Sequence, residues 1–330
     1  MSLYTAETRR LTKRRFTRFF LIGVVLVLGA IAAGMFLTNH KNTPEVVAAA
    51  QAKADREFQQ AVVRAEADRK ACEAQTQPGS DCSQMWTPTR EEFQAQWYMP
   101  PTFDFRKNFK DMVTTLASIL AVAAFVIGAS FVGAEWSSGG MMNLLLWRPQ
   151  RLKVLNTKLA ALLVLLAGVT VALSALWTGA FALIASLRGT LDGMTSGAWQ
   201  SYLLMELRGL VMVLVAGAVG FGLASIGRHT AVAMGVAIGV LVVLQAGLGT
   251  VLAMAQVKYL EMYLAPTWIA AWMTKSVELI DYNAPCVGSG DTCVQPSLTL
   301  TWQMAGAGIV ILIALVLGTA MWTLRKRDIT

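Results

Sequence analysis

The sequence predicts an all-α, polytopic membrane protein with six transmembrane helices, both termini in the cytoplasm, and an extracellular helical insertion between spans 1 and 2. Three observations predict this fold. The 330 residues are 55% hydrophobic, with a mean hydropathy of +0.52. The apolar residues are concentrated in six long stretches that contain no Lys, Arg, Asp or Glu. The Lys and Arg residues of the short connections lie mostly on one side of these stretches.

The six uncharged stretches are each long enough to cross a bilayer once. A helix needs about 20 apolar residues to cross the hydrocarbon core, and these stretches have 19 to 29 residues. The first is longer than the apolar region of a signal peptide, about 7–15 residues, so we expect it to be retained. The predicted spans are residues 19–40, 112–134, 159–187, 209–227, 229–257 and 297–324.

The positions of Lys and Arg orient these spans. With the N-terminus inside, 14 of the 28 basic residues are cytoplasmic, and 10 of the others lie in one long outside segment. The short outside loops hold only four, and the positive-inside rule is counted over short loops. The predicted cytoplasmic segments are therefore 1–18, 135–158 and 325–330, and the outside segments are 41–111, 188–208 and 258–296.

The basic balance of the chain fits the same topology. A net charge of +8 and a pI near 9.5 could suggest a nucleic-acid partner. The cytoplasmic basic residues flank apolar spans, however, where they face anionic lipid headgroups. We therefore predict a multi-pass protein of the bacterial cytoplasmic membrane that contacts lipid and no nucleic acid.

Two segments flank the first span. Residues 4–19 are basic with interspersed aromatic side chains, which suits either a helix in the membrane interface or a disordered flank. Residues 44–75 contain neither Gly nor Pro after Pro44, and their apolar residues recur every three or four positions. This pattern predicts one extracellular helix of about 30 residues. The aromatic residues that follow, such as Trp86 and Trp97, suit an interface anchor or the lining of a substrate exit.

Four cysteines fall in the predicted outside segments as two local pairs. The oxidising side of the membrane favours the disulfides Cys72–Cys82 and Cys286–Cys293. The alternatives are four free thiols or a metal site. The chain has only two histidines, predicted at opposite faces, which counts against a zinc site.

The remaining loops and spans add two expectations. The outside segment 258–296 begins with aromatic residues at near-helical intervals, which predicts an interfacial or re-entrant helix. The fifth span contains Gly235 and Gly239 as a GxxxG pattern, which indicates close helix packing within the subunit or at a dimer interface.

Several motifs of chemistry are absent from the sequence. No G-x-x-x-x-G-K-[ST], H-E-x-x-H or G-x-S-x-G occurs, and no predicted span centre carries an ionisable residue. Ion-coupled transporters commonly keep such residues inside the membrane. We therefore expect no bound cofactor, no metal and no catalytic residue in this chain. If it moves a substrate, the energy comes from a partner.

The cytoplasmic segment between spans 2 and 3 has the most informative pattern. Glu135 lies at the exit of span 2, and Gly139 and Gly140 permit a bend. Residues 141–147 form a mostly apolar run, which Pro149 interrupts. A short apolar helix at the cytoplasmic face could dock into a groove on a soluble partner or lie on lipid.

This segment resembles the corresponding loop of permease subunits of the ABC-2 family of ATP-binding-cassette exporters. That family typically has a Glu, a Gly-Thr-like pair, a Leu-rich turn, a Pro-x-x-Arg and a Lys that opens the next span. The residues in matching places are Glu135, Gly139, Leu144, Leu145, Arg151 and Lys158, and we assign Pro149 with them to the predicted coupling site. The sequence departs from the pattern in that Gly140 stands in the Thr place and Pro149 is one residue too close to Arg151.

The resemblance implies a role for each of these parts. Residues 1–18 would be an elbow helix, and the segment 135–158 would carry the coupling helix. The partners would be two P-loop ATPase subunits, which bind ATP and Mg²⁺, and a second permease copy or a related permease. The function would be ATP-driven export, by alternating access, of a lipophilic or amphipathic substrate such as a drug, peptide or lipid.

Two other classes of function stay open at this stage. The enlarged outside segment would also suit an ATPase-linked sensor or envelope-assembly module that binds a ligand or partner without transport. A membrane-embedded enzyme is disfavoured by the lack of polar clusters in the predicted spans.

Overall fold

The structure, a computed structural model, describes residues 3–74, 82, 85–147, 150–281, 284–285 and 294–326. Within these residues, six helical segments are long and apolar enough to cross a membrane. They are Arg15–Thr38, Phe105–Ser137, Arg151–Arg188, Ser196–Gly227, Thr230–Met254 and Trp302–Lys326. The prediction of an all-α polytopic membrane protein with six spans is confirmed.

The helices are numbered here in chain order. They are α1 (Leu3–Lys13), α2 (Arg15–Thr38), α3 (Pro44–Ala74), α4 (Phe105–Ser137), α5 (Gly140–Trp147), α6 (Arg151–Arg188), α7 (Ser196–Gly227), α8 (Thr230–Gly239), α9 (Leu248–Met254), α10 (Ala265–Thr274) and α11 (Trp302–Lys326). Of the two alternatives for the N-terminus, the structure has the helix, which breaks at Arg14 before the first span begins.

Several spanning helices extend beyond the uncharged stretches of the sequence. Helix α6 begins at Arg151 rather than at Leu159, and α7 begins at Ser196 rather than at Gly209. The start of α7 is capped by Thr195, whose hydroxyl accepts a hydrogen bond from the Ala198 amide at 3.3 Å. A helix tolerates charged residues along its length, so a charge ends an apolar stretch without ending the helix. Most of the predicted outside segment 188–208 is therefore helical.

The fifth span is not a uniform α-helix. Helix α8 is followed by a π-helical segment, Val240–Gly247, and then by α9. The Gln245 side chain within the π-helical segment accepts a hydrogen bond from the Ala265 amide, at the start of α10, at 2.7 Å. At the other end, Arg228 turns the chain between α7 and α8 with a positive φ of 52°.

A short β-hairpin precedes the last span, and it corrects the prediction that this span begins at Ser297. Strand β3 (Ser276–Ile280) pairs antiparallel with β4 (Ser297–Thr301), and helix α11 begins only at Trp302. Residues 297–301 alternate polar and apolar side chains, which is the period of a strand rather than of a helix. Helix α10 corresponds to the interfacial or re-entrant helix predicted in this segment.

The chain divides into two compact units, each described by itself. The first comprises described residues within 1–30, 109–179 and 195–330, and the second those within 31–108 and 180–194. In the first unit, α4 and α7 are the most buried spans. Their axes approach closely at glycines, because a Cβ on Gly220 would collide with the Phe125 carbonyl oxygen and one on Gly128 with that of Gly217.

The second unit contains the predicted helical insertion. Helix α3 spans Pro44–Ala74, in agreement with the helix expected over 44–75. Phe93 packs edge-on against Phe58 of α3, and the Arg90 guanidinium lies 5.1 Å from the Phe58 ring centroid and pairs with Asp55. The predicted disulfide between Cys72 and Cys82 is present. The other predicted pair, Cys286–Cys293, lies outside the described residues.

A small parallel sheet completes the second unit. Strand β1 (Phe103–Asp104) pairs with β2 (Gly189–Thr190), just before α4 and just after α6. Gly189 is required there, because a Cβ at this position would collide with the Phe103 carbonyl oxygen. The ring centroids of Phe103 and Phe181 are 5.3 Å apart beside this sheet.

Candidate coupling site

A buried lysine joins three helices in the part of the molecule predicted to be cytoplasmic. Lys158 of α6 donates a hydrogen bond to Glu7 Oε2 of α1 with an Nζ–Oε2 distance of 2.6 Å. Its ammonium group also lies 2.7 Å from Glu135 Oε2, near the end of α4. The Lys158 side chain is fully buried, and that of Glu7 is 1% exposed. We call Glu7, Glu135 and Lys158 the charge cluster.

The surroundings of Lys158 match the requirements of a buried ammonium ion. Removal of a charge from water is costly unless opposite charges and hydrogen-bond acceptors replace the water. The two carboxylates supply these, and the Phe131 ring centroid lies 5.2 Å from Nζ on a further side. The geometry with Glu135 is that of an ion pair, whereas the hydrogen bond goes to Glu7. Helix α1 is therefore held to α4 and α6 through charge.

Arg14 adds a second connection at the break between α1 and α2. Its Nη1 donates to the carbonyl oxygens of Ser130 and Phe131 in α4, at 3.1 and 3.2 Å. The guanidinium carbon is also 5.9 Å from the Phe131 ring centroid. The Phe131 ring thus lies close to both an arginine and a lysine.

Helix α5 lies in the segment predicted to couple to a partner. Gly139 has a φ of 71° in the turn from α4, a conformation that favours glycine. Met141 and Leu145 are buried on the inner face of α5, whereas Leu146 and Trp147 are 73% and 87% exposed. The short helix therefore anchors one apolar face and presents another outward.

A cavity of about 610 Å³ lies between α1 and α5. The α1 side and the adjoining break contribute three basic residues, and the other side contributes Glu135 and the first turns of α5. The lining residues are Arg10, Lys13, Arg14, Glu135, Gly140, Asn143, Leu144 and Trp147. We call it the α1–α5 cavity.

The structure brings together some of the predicted site residues and separates others. Glu135 and Lys158 are in direct contact, and Gly139, Leu144 and Leu145 lie in the adjoining turn and helix. Arg151 instead begins α6 and donates from Nη1 to the Leu324 carbonyl oxygen, near the end of α11, at 3.4 Å. Pro149 lies outside the described residues.

Two residues of the site were missed in the sequence. Glu7 is the only acidic residue in the basic segment before the first span, and this isolation is the signal that could have found it. Arg14 has no comparable signal, because it is one of six basic residues within 9–18.

The fourth span also contains a carboxylate, Glu206. The uncharged stretch assigned to that span began at Gly209, so Glu206 was placed outside it. In the structure it lies within α7 and accepts a hydrogen bond from the Thr178 hydroxyl of α6. A side-chain hydrogen bond therefore joins α6 to α7.

The sequence was compared with known proteins. A family described as ABC-2 family transporter protein matches residues 2–329. The chain belongs to the ABC-2 transporter family. A search of curated proteins gives no match. Membership in a family of membrane transport permeases agrees with the six spans. The charge cluster and α5 therefore belong to a transport permease.

Proposed function

We propose that the chain is the permease subunit of an ATP-driven exporter, in which α5 contacts separate P-loop ATPase subunits. ATP and Mg²⁺ are bound and ATP is hydrolysed in those partners. The observation that carries the proposal is the charge cluster, because Lys158 joins α1, α4 and α6, and its partner Glu135 lines the same cavity as the first turns of α5.

The connection has a mechanical consequence. A force applied to α5 reaches α4 through a short turn at Gly139 and reaches α1 and α6 through Lys158. A partner shifts the arrangement of the spans only if it binds one arrangement more tightly than the other. In this proposal the ATPases supply that difference, and the substrate leaves the cytoplasm as the spans change arrangement.

The exposed apolar face of α5 supports a protein partner. Leu146 and Trp147 together form an apolar tip on a helix that belongs to the predicted cytoplasmic side. An apolar helix face that docks in a groove is a recurring mode of protein recognition. Complete burial of a leucine side chain contributes about 1.5–3 kcal/mol, so Leu146 alone can account for a tenfold or larger change in affinity.

The test uses the full permease purified with its ATPase. We expect Leu146→Ser to lower co-purification of the ATPase, and ATP-dependent efflux from vesicles, by about tenfold. The matched control is Leu37→Ser, because Leu37 is 70% exposed at the other end of a span, in α2. Equal efflux in the two variants would sink the assignment of α5 as the contact.

A second candidate function rests on the second unit. Helix α3 and residues 85–93 form a groove of about 370 Å³ with charged and aromatic walls, whose members include Arg64, Trp86 and Phe93. The disulfide fixes the end of α3 close to this groove. Such a groove fits a sensor or assembly module that binds a ligand outside the membrane. ATP-dependent flux in reconstituted vesicles supports the exporter, whereas ligand binding without flux supports the sensor.

A further inference from the structure

The α1–α5 cavity is positively charged on one wall. Arg10, Lys13 and Arg14 all face it, while Glu135, the acidic residue of the lining, is already paired with Lys158. Arg10 Nη1 lies 3.6 Å from Glu7 Oε1, and the same carboxylate also pairs with Lys158. Lys13 has no ion-pair partner among the residues that the structure describes. Three cations at one wall repel each other, so an anion in the cavity would stabilise this arrangement.

The opposite wall begins with the N-terminus of α5. The first amides of a helix have no intrahelical acceptor, and the helix dipole places positive potential there. Gly140, the first residue of α5, lines the cavity, and so does Asn143, whose side-chain amide can donate. Backbone and side-chain donors thus face the same space as the basic residues. This combination of groups is typical of phosphate sites.

The rest of that wall is apolar. Leu144 and Trp147 line the cavity, and Trp147 is largely exposed at its rim. Free phosphate has no apolar surface, so it would gain nothing from contact with an apolar wall. A phospholipid presents a phosphate beside a glycerol backbone and acyl chains, and tryptophan suits the boundary between headgroup and hydrocarbon. The predicted cytoplasmic position of α1 places this cavity next to a leaflet that contains anionic lipids.

We propose that the α1–α5 cavity binds the phosphate headgroup of an anionic phospholipid. The lipid would lie between α1 and α5, with its phosphate against Arg10, Lys13 and the start of α5 and its apolar part against Trp147. This binding is a property of the permease chain itself, and it goes beyond the proposed coupling to an ATPase. It would make lipid composition a determinant of how α1 and α5 are held together.

The experiment measures binding of short-chain phosphatidylglycerol to the full permease in detergent, with the protein stripped of lipid. We expect the double variant Arg10→Gln/Lys13→Gln to weaken binding about tenfold or more, since each basic residue near an anionic headgroup contributes about 1 kcal/mol. Asn143→Asp should also weaken binding, because it adds a negative charge to the cavity. The thermal unfolding temperature of each variant shows that the fold is intact.

The control is Arg9→Gln/Arg15→Gln, which removes the same charge from exposed residues of α1 and α2 that do not line the cavity. Unchanged binding in this control, with loss in the cavity variants, supports the proposal. Equal weakening in both double variants, or equal binding of short-chain phosphatidylcholine, would overturn it in favour of diffuse surface charge. Competition by inorganic phosphate at the same concentration as the lipid would identify a free phosphate as the ligand and overturn the lipid assignment.

Displacement of the lipid by added ATPase would instead assign the cavity to an acidic group of that partner and overturn the proposal. Failure of transport with intact lipid binding would refute the proposed function alone.

Discussion

Lys158 shows how a single buried charge can determine the arrangement of three helices. The ammonium has no contact with water, so its stability depends on both carboxylates being in place. Such a cluster adds little to net stability compared with an apolar core, but it is sensitive to the loss of any one member. Helix α1 cannot move away from α4 and α6 without exposing a charge to solvent or leaving a buried charge without its partner.

Replacement of this lysine is therefore expected to destabilise the protein. Lys158→Met leaves Glu135 without its cation and Glu7 with only Arg10, 3.6 Å away. The loss of one partner of a buried pair typically costs about 3–5 kcal/mol. Thermal unfolding in detergent should show a clearly lower midpoint. The matched control is Lys153→Met, an exposed lysine one and a half turns earlier in α6.

A compensating variant makes this prediction sharper. The triple variant Lys158→Met/Glu7→Gln/Glu135→Gln removes all three charges, so it should recover much of the lost stability. If Lys158→Met and Lys153→Met melt at the same temperature, the charge cluster does not hold α1 in place.

At the scale of elements, the glycines of α7 set how closely two buried spans approach. Gly220 lies against the Phe125 carbonyl group of α4, so no side chain fits between the two helices there. A Cβ on Gly217 would collide with the Leu166 side chain of α6. The Gly220→Ala variant is expected to force α4 and α7 apart and to lose about 1–3 kcal/mol of stability. Thermal unfolding measures this, with Gly168→Ala as a control because nothing lies within 4 Å of a Cβ there. Equal melting of the two variants would contradict the close approach.

The disulfide is a second feature at this scale. It ties the last turn of α3 to Cys82 across a sequence separation of 10 residues. A loop of this size is expected to contribute about 2–3 kcal/mol to the stability of the second unit. Cys72→Ser/Cys82→Ser should therefore increase the rate at which a protease cleaves near the end of α3. Unchanged cleavage would show that α3 is held by its other contacts, such as Phe58 with Phe93.

The elements differ in how well the sequence could predict them. The six spans and α3 were predictable because apolar length and an unbroken helical pattern are properties of consecutive residues. Strand β4 (Ser297–Thr301) was missed because the overall hydropathy of five residues does not distinguish a strand from a helix. Glu206 was missed because Arg208 follows it and ends the uncharged stretch, although the helix continues through both.

The site was predictable in the same partial way. Glu135 and Lys158 were identified through family resemblance, but their contact depends on how α4 and α6 pack. Glu7 lies 151 positions from Lys158 in the sequence, so no local pattern links the two. Similarly, GxxxG indicated Gly235 and Gly239 as packing residues, whereas close contacts within the described chain occur at other glycines, such as Gly128 and Gly220.

At the scale of the whole molecule, three spans have most of their apolar surface exposed in the single chain. Only 6–11% of the most apolar windows of α2, the fifth span and α11 is buried. Nothing in the described chain lies within 4 Å of a Cβ built on Gly235 or Gly239. Such exposed apolar surfaces suit contact with lipid or with the second permease that the family resemblance implies, either a copy of this chain or a related permease.

This arrangement leads to a prediction about the oligomer. If α8 packs against a second copy through its small residues, Gly235→Leu/Gly239→Leu should lower the dimer fraction severalfold because backbones can no longer approach closely. Crosslinking or mass photometry in detergent measures the fraction. Gly29→Leu/Gly318→Leu is the control, since both glycines also have open surroundings, on α2 and α11. A dimer that is equally reduced in both variants would argue against a specific interface at α8.

The π-helical segment in the fifth span affects how that span can bend. Helices bend most readily where the regular hydrogen-bond ladder changes, as it does over Val240–Gly247. One half of this span continues from α7 through the turn at Arg228, and the other half is tied to α10 by Gln245. The span thus consists of two helical segments joined at a point where it can bend. A displacement of one segment therefore need not rotate the other segment by the same angle.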